Sequence, residues 1–523
     1  MMIAAAEKSR INLYFVLAIL IIIVSVTVKY PLLSFRAEMY AETGTDLFMN
    51  ARNNSFLNTL LIAHTGYLAL LQRIIAALAV KVLHLSANYP LFMQSFSIFF
   101  IAVCAASINL KIFKTIISND FLRFVLSLSC GLIPNYEIYT FINFIYMAVT
   151  PLLFLMLLQS GNPKTAWFYT ALFYAALIVC ILSKPFFLTL LPFVYIVVFL
   201  NFNRNKSVLL WVVPLTAAVF FQLIFMKMHR EQWNSDQRFL SISYLWGRFK
   251  IIIFYYYNCW RTLFLNGAFP YLPGKFAAAA LFFSSVFMFA RMLIKRRFEV
   301  CRDFLLCQIC ALAALALLAF TVKDASQYAI FPVAFFRWYI FPKLMIFISL
   351  FLLVYRSFFP VLGYLLTLLP FFFTISGFFS GSDFPVERNH YFPWKKYHHL
   401  LRQDKFYIPI LPAGWAINRK LEPLCKAQYS ESVSGKMNVF KKEKFKNEIL
   451  LVQGIIFTNE MEFGNLQISA ETAENTVNAE RLSGIDEYYC YFFFPVEIVI
   501  KKLIFKKAGV PSGEILFIGR RQM

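Results

Sequence analysis

The sequence predicts a polytopic α-helical membrane protein, with about eleven transmembrane helices and a small β-rich carboxy-terminal domain carried outside the cytoplasm. Two observations carry that fold class. The 523 residues are 60% hydrophobic and only 15% charged, with a mean hydropathy of +0.64, against roughly 25% charged residues in ordinary soluble domains. Long apolar stretches then stop near Gly381, and short alternating runs replace them. This composition excludes a disordered chain, a secreted disulfide scaffold and a soluble nucleic-acid binder.

The formal net charge of +23 fits a membrane better than nucleic acid. From Gly381 onward about 20 Lys and Arg face about 16 Asp and Glu, so about +19 of the excess lies in short loops between apolar segments. Such dispersed charge is the footprint of the positive-inside rule, not of phosphate-backbone binding.

The first span, Ile11 to about Val28, follows Lys8 and Arg10 with no small-residue cleavage site behind it. It therefore reads as an uncleaved span with a cytoplasmic amino terminus. Lys111 and Lys114, Arg204 and Lys206, Lys295 to Arg297, Arg302 and Arg356 then belong on that same inner side. The segment Gly66 to Leu85 is long enough to cross, yet it carries Arg73, Lys81 and His84. At about 100° per residue Arg73, Ala77, Lys81 and His84 form one stripe and Leu71, Ile75, Leu78 and Val82 lie elsewhere, so an interfacial helix is expected over 66–85. The remaining spans are Pro90–Leu110, Phe121–Tyr136, Ile138–Gln159, Thr165–Ser183, Pro185–Leu200, Val208–Met228, Leu272–Leu293, Phe304–Val322, Ile340–Tyr355 and Phe359–Phe379. An odd count places the chain beyond Gly381 outside, together with the loops 35–88 and 229–271. In a bacterium this means a multi-pass inner-membrane protein with a periplasmic carboxy-terminal domain.

Three domains follow: a transmembrane domain over 1–380, a membrane-proximal linker over 381–440, and a β-sandwich-like domain over 441–523. Runs such as EILLVQGIIF (448–457), YYCYFFF (488–494) and EILFIG (514–519) alternate with period two and are rich in Ile, Tyr and Phe, which predicts strands. Cys104, Cys130, Cys180, Cys307 and Cys310 lie in apolar segments, where cysteine packs as a small hydrophobe. Cys425 and Cys490 share the exported tail, where either free thiols or a disulfide is compatible with the sequence.

Acidic residues carry most of the remaining chemical signal. Glu38, Glu42 and Asp46 are spaced four apart in RAEMYAETGTDLF, directly after the first span emerges. On a helix they would share one face, although like charges at that spacing repel and Gly44 weakens a helix. Either a solvated loop face or a general base or metal ligand at the membrane surface fits the pattern. Lys184 in LSKPFF, Arg261 in NCWRTLF and Arg337 in FFRWYIFP are cations at outer span ends, suited to a lipid phosphate or to snorkelling. Glu137, next to Asn135 at a span end, is a polar cap or a substrate group.

Taken together, the architecture resembles the GT-C class of polyprenyl-phosphate-sugar-dependent glycosyltransferases. RAEMYAE is similar to the acidic first-loop motif of the aminoarabinose transferases in that class. AETGTDLF, HTGYLALLQR (64–73), LSKPFFLTLLP, FRWYIFP and IPILPAGWAI (408–417) look like parts of the Gtr-type O-antigen glucosyltransferases of bacteria and phages. No Asp-Asp or Asp-Glu pair stands in the first loop, a departure from the class pattern. The resemblance implies transfer of a sugar, glucose in the Gtr enzymes, from undecaprenyl phosphate to lipopolysaccharide O-antigen or a related glycan. It implies Glu42, Asp46 or Glu38 as the base, and phosphate or sugar contacts from Lys184, Arg261, Arg337, His64, Arg73 and Glu137. Trp394 and Trp415 would stack on the acceptor or belong to an interfacial aromatic belt. No cofactor is implied beyond, at most, a divalent cation, and no nucleic acid. An O-antigen polymerase or ligase, or a lipid-linked sugar flippase, remains the competing class.

Overall fold

The computed structural model describes residues 13–321 apart from 36, 134, 162–166, 202–208, 230–241 and 262–270, then 340–357, 372, 374–379 and 394–402, and the strands named below between 406 and 521. Two compact units divide the chain. One comprises Met1–Arg36, Asn54–Val82 and Leu91–Asp383; the other comprises Ala37–Asn53, Leu83–Pro90 and Phe384–Met523.

The first unit is helical. Its longer helices are α1 (Leu13–Lys29), α2 (Leu70–Ala77), α3 (Tyr89–Ala106), α4 (Asp120–Gly131), α5 (Val149–Gly161), α6 (Trp167–Ser183), α7 (Leu191–Asn201), α8 (Leu209–Met228), α9 (Ile242–Arg261), α10 (Tyr271–Ile294), α11 (Phe298–Thr321) and α12 (Ile340–Ser357). Among the described residues, Tyr89–Asn109, Leu210–Met228 and Phe298–Phe320 are long and apolar enough to cross a membrane, and five further apolar helices are shorter. The apolar helices mark a membrane-associated helical protein.

Charged side chains gather at one end of this unit. Asp303 near the start of α11 accepts from Ser160 at the end of α5 (3.2 Å) and from Arg302 (2.9 Å), and pairs with Arg356 at the end of α12 (3.6 Å). The neighbouring Tyr355 hydroxyl bonds Ser118 (2.8 Å), just ahead of α4, where Asp120 pairs with Lys114 (3.1 Å) and with Arg123. Lys114, Arg302 and Arg356, which the charge rule assigns to a single side, thus share one end of the bundle, whereas Arg204 and Lys206 lie outside the described residues. α1 starts at this end too, since Tyr14 meets Phe124 of α4 (5.3 Å).

Close packing sets the approach of α1 to α4. A Cβ on Gly131 would stand 2.3 Å from the Ile22 side chain and 3.1 Å from Ala105, so a larger residue would force Ile22 to move. Just beyond it, the expected spans Phe121–Tyr136 and Ile138–Gln159 are cut short. Residues 132–148 form 3-10 turns at Tyr136–Tyr139 and Phe144–Ala148, and Ile138, Tyr139 and Phe141 are fully buried. Local side-chain bonds compete with the helix here: Thr140 Oγ1 and Asn143 Nδ2 both donate to the Glu137 carbonyl (2.6 and 3.1 Å).

Two other expectations change. The presumed outer loop 229–271 contains α9, which packs on α11 through Arg248 to the Ala319 carbonyl (2.7 Å) and Tyr256 to Gln308 (2.7 Å). The charges that mask this helix are absorbed by aromatic faces, Arg248 over Tyr244 (4.8 Å) and Lys250 over Trp246 (5.5 Å). The interfacial helix expected over 66–85 is only α2, followed by a π turn at Leu78–Val82, and its expected faces hold in part, since Ile75 is buried and His84 exposed. Arg73 and Ala77 are fully buried, whereas Leu78 and Val82 are 39% and 57% exposed.

In the second unit the strands are β3 (Phe406–Ile410), β4 (Trp415–Arg419), β5 (Glu422–Glu431), β6 (Met437–Lys441), β7 (Leu450–Phe457), β8 (Ile468–Glu471), β9 (Thr476–Asn478), β10 (Glu480–Arg481), β11 (Cys490–Ile498), β12 (Lys502–Phe505) and β13 (Gly513–Arg521). They pair antiparallel as a six-stranded sheet in the order β10-β11-β7-β13-β5-β6, a three-stranded sheet β12-β8-β9 and the hairpin β3-β4. Strand pairing thus starts inside the segment 381–440 expected to be a linker. Cys425 on β5 and Cys490 on β11 are three strand spacings apart, roughly 14 Å, well beyond the ~7 Å Cα limit for a disulfide.

Both arrangements can be checked. Gly131→Val should lower the unfolding midpoint in detergent, by roughly 1–3 kcal/mol of overpacking. Gly247→Ala, on α9 with open space around its Cβ, should hold or raise it. Cys425 and Cys490 should both alkylate in the denatured protein without prior reduction, which mass spectrometry reads directly.

Candidate functional site

In the helical unit, the chemistry gathers around a hairpin of β1 (Ala63–His64) and β2 (Tyr67–Leu68). Thr65 and Gly66 both take positive φ (45° and 87°), as a two-residue hairpin turn with primed geometry requires. A β-branched residue in that region is strained. Arg73 holds the hairpin in place, donating from Nε to the Ile62 carbonyl (3.0 Å) and from Nη2 to the Ala63 carbonyl (3.2 Å). Gln222 of α8 reaches the Leu68 carbonyl (3.5 Å), and Ser183 at the end of α6 accepts from Leu71 N–H (3.0 Å).

Lys184 follows directly and is buried. Its Nζ donates to the Tyr67 hydroxyl (2.6 Å) and lies 5.1 and 5.4 Å from the Tyr67 and Tyr146 ring centroids. His64, also buried, stands edge-on to Tyr67 (5.3 Å). α5 ends at the charged cluster and α6 returns from it over 17 residues, about 25 Å of helix, so Lys184 lies at the other end of the unit. This buried ammonium, bonded to a phenol and flanked by two aromatic rings, is the cation that the helical unit holds beside the hairpin.

The three first-loop acids belong to the second unit, and they do not share a helix face. Glu38 is in extended chain, Ala41 has positive φ (40°), and only then does a π turn run over Thr43–Phe48. The break comes at Ala41, ahead of the π turn, and Gly44 packs tightly within that turn, where a Cβ would meet Met39 at 2.7 Å and Ile410 at 2.8 Å. Glu38 is buried and accepts the Trp394 backbone N–H (2.6 Å). Asp46 accepts from the Asn50 side chain. Glu42 is half-buried and, among the described residues, forms no hydrogen bond or ion pair.

Other candidates change role. Trp394 is 1% exposed, donates from its indole to the Ser86 carbonyl (2.8 Å) and meets Phe48 edge-on (5.3 Å), so it is a buried anchor and not a platform for sugars. Arg73 is structural, bound to backbone carbonyls. Asn135 accepts the Glu137 N–H (2.9 Å) and caps the 3-10 turn, and the Glu137 side chain is half-buried. Arg261 is the last residue of α9 and Trp415 pairs with Ile410 in the β3-β4 hairpin, but their side chains fall outside the described residues, as does Arg337 altogether. No group of three or more His, Cys, Asp or Glu comes together among the described residues, so the first-loop acids are not gathered there as a metal site. Tyr67 and Tyr146 are the residues that sequence reasoning missed; the pattern HTGY, a two-residue turn between apolar flanks, is the signal for the first.

Glu38→Gln keeps the shape but removes the charge from the bond to Trp394, and should cost about 1–2 kcal/mol in the unfolding of this unit. Trp394→Phe should cost about 1 kcal/mol through the lost indole bond. Tryptic cleavage rates of native protein within 395–405 would report both. No family model, curated protein or solved structure matches the chain.

Proposed function

We propose that the protein is an inverting glycosyltransferase of the GT-C type, moving a sugar from a polyprenyl phosphate carrier to lipopolysaccharide O-antigen or a related surface glycan. In this reading the amino terminus is cytoplasmic, the inner membrane is crossed an odd number of times, about eleven, and a β-sandwich-like domain stands in the periplasm. The supporting observation is the buried Lys184, bonded to the Tyr67 hydroxyl at the end of the helical unit away from the charged cluster. A lysine on the outer side runs against the charge rule and is retained there for an anion.

The chemistry needs two groups. A cation must stabilise the phosphate as it departs from the anomeric carbon, and Lys184 has that role. A base must take the proton from the attacking acceptor hydroxyl. Glu38 and Asp46 are each held by a hydrogen bond, which leaves Glu42 for the proton. Attack on the face opposite the leaving phosphate inverts the anomeric centre. General-base help contributes roughly 10²- to 10⁴-fold, and electrostatic stabilisation of the leaving group is a term at least as large.

Wild type, Glu42→Gln and Lys184→Met should be expressed at matched membrane levels and the sugar composition of the host's surface polysaccharide compared. Glu42→Gln should lose transfer by at least about 10²-fold. Lys184→Arg should keep more activity than Lys184→Met, since it retains the charge. Wild-type cells whose glycan equals that of vector-only cells would remove the enzyme reading. Normal glycosylation by Glu42→Gln would remove that residue from the mechanism.

A further inference from the structure

α10 and α11 form a hairpin whose tip is Lys295, Arg296 and Arg297. Three backbone bonds close α10: Lys295 N–H to the Arg291 carbonyl (3.0 Å), Arg296 N–H to Leu293 (2.9 Å) and Arg297 N–H to Met292 (2.9 Å). The last two are the paired bonds of a Schellman cap, which needs left-handed backbone at its middle residue. That residue is Arg296, with φ 55°. Glycine is favoured at such a position because a Cβ strains it, so the arginine is kept at a cost in stability.

The environment of the tip says what the side chain is for. Lys295, Arg296 and Arg297 are all exposed, and none forms an ion pair among the described residues. Glu299, two residues further on, is exposed and pairs with none of them. Arg302 and Arg356 behave differently, since both engage Asp303. Ile294 and Phe298, flanking the three cations, are 82% and 62% exposed. Along the two helices Phe283, Phe287, Leu305 and Ile309 also face outward. Three cations with no ion-pair partner among the described residues thus stand where two apolar helices with exposed hydrophobic side chains meet.

We propose that the Lys295–Arg297 tip is a binding site for the phosphates of anionic phospholipid, with Arg296 held at a glycine position because its guanidinium grips that phosphate. The exposed Ile294 and Phe298 enter the adjacent acyl layer, which selects a lipid over free phosphate. Each juxtamembrane cation contributes about five-fold to such binding, so removing all three should weaken it on the order of 10²-fold. This site is independent of the sugar-transfer reading.

The test uses full-length protein in nanodiscs of phosphatidylcholine alone or mixed with phosphatidylglycerol. Native mass spectrometry counts retained phosphatidylglycerol, and thermal unfolding gives the midpoint. Wild type should retain the anionic lipid and show a higher midpoint with it, and inorganic phosphate should not reproduce that rise. Lys295→Gln, Arg296→Gln and Arg297→Gln combined should lose both effects. Arg296→Gly relieves the backbone strain, so it should unfold at a higher temperature than wild type in phosphatidylcholine yet gain less from phosphatidylglycerol. An unchanged lipid response in either variant would overturn the proposal, as would an absent wild-type response. A rise with inorganic phosphate alone would overturn the lipid assignment.

Discussion

Inside hydrocarbon no water is at hand to satisfy a backbone N–H or C=O, and an unmet group costs several kcal/mol. Among the described residues the helical unit departs from α-helix at several buried places, and at two of them, the hairpin 63–68 and the turns over 132–148, side chains bond the backbone carbonyls. Arg73 and Gln222 bond the carbonyls in and beside the hairpin. Ser97 donates to the Tyr139 carbonyl (2.8 Å), and the Tyr139 hydroxyl bonds the Gly131 and Ile133 carbonyls (2.9 and 3.0 Å). Most buried polar residues here therefore serve the backbone. Lys184 is a buried cation that bonds a side-chain hydroxyl, that of Tyr67.

This constraint also accounts for what the sequence reveals and what it conceals. Hydropathy and charge order locate most apolar helices and bring Lys114, Asp120, Asp303 and Arg356 to one end, because both follow from the cost of burying charge along a span. α2 misleads the same logic. A stripe of Arg73, Ala77 and Lys81 looks solvent-facing by period, yet Arg73 turns inward to reach carbonyls of a hairpin that no periodicity announces. α9 is hidden for the converse reason: Arg248 and Lys250 lower its hydropathy, while the rings that absorb those charges sit four residues earlier on the same helix.

The acidic first loop shows how spacing and conformation part company. A four-residue repeat promises a common face only if the chain stays α-helical, and here it is extended before Ala41, which has positive φ, and wound as a π turn after it. Glu38, left in extended chain, meets the Trp394 N–H instead. Asp46 remains on the π turn with Asn50. Three carboxylates that look equivalent in sequence thus acquire distinct roles from local backbone geometry, and this sorting was not readable from residue type. Wide turns of this kind are rare and concentrate at functional sites.

Burial, finally, separates cations that the charge rule treats alike. Arg123 has no exposed surface, and desolvation on that scale demands partners: it pairs with Asp120 and donates to the Ile117 carbonyl (2.7 Å). Arg302 and Arg356 are partly covered and converge on Asp303, which joins the ends of three helices. Removing Asp303 would leave two half-buried like charges facing each other, so its loss is destabilising even where the intact cluster adds little net stability. Lys295 to Arg297, fully hydrated, meet no such demand. Their conformation is fixed by backbone bonds alone, and the side chains stay available for an external anion.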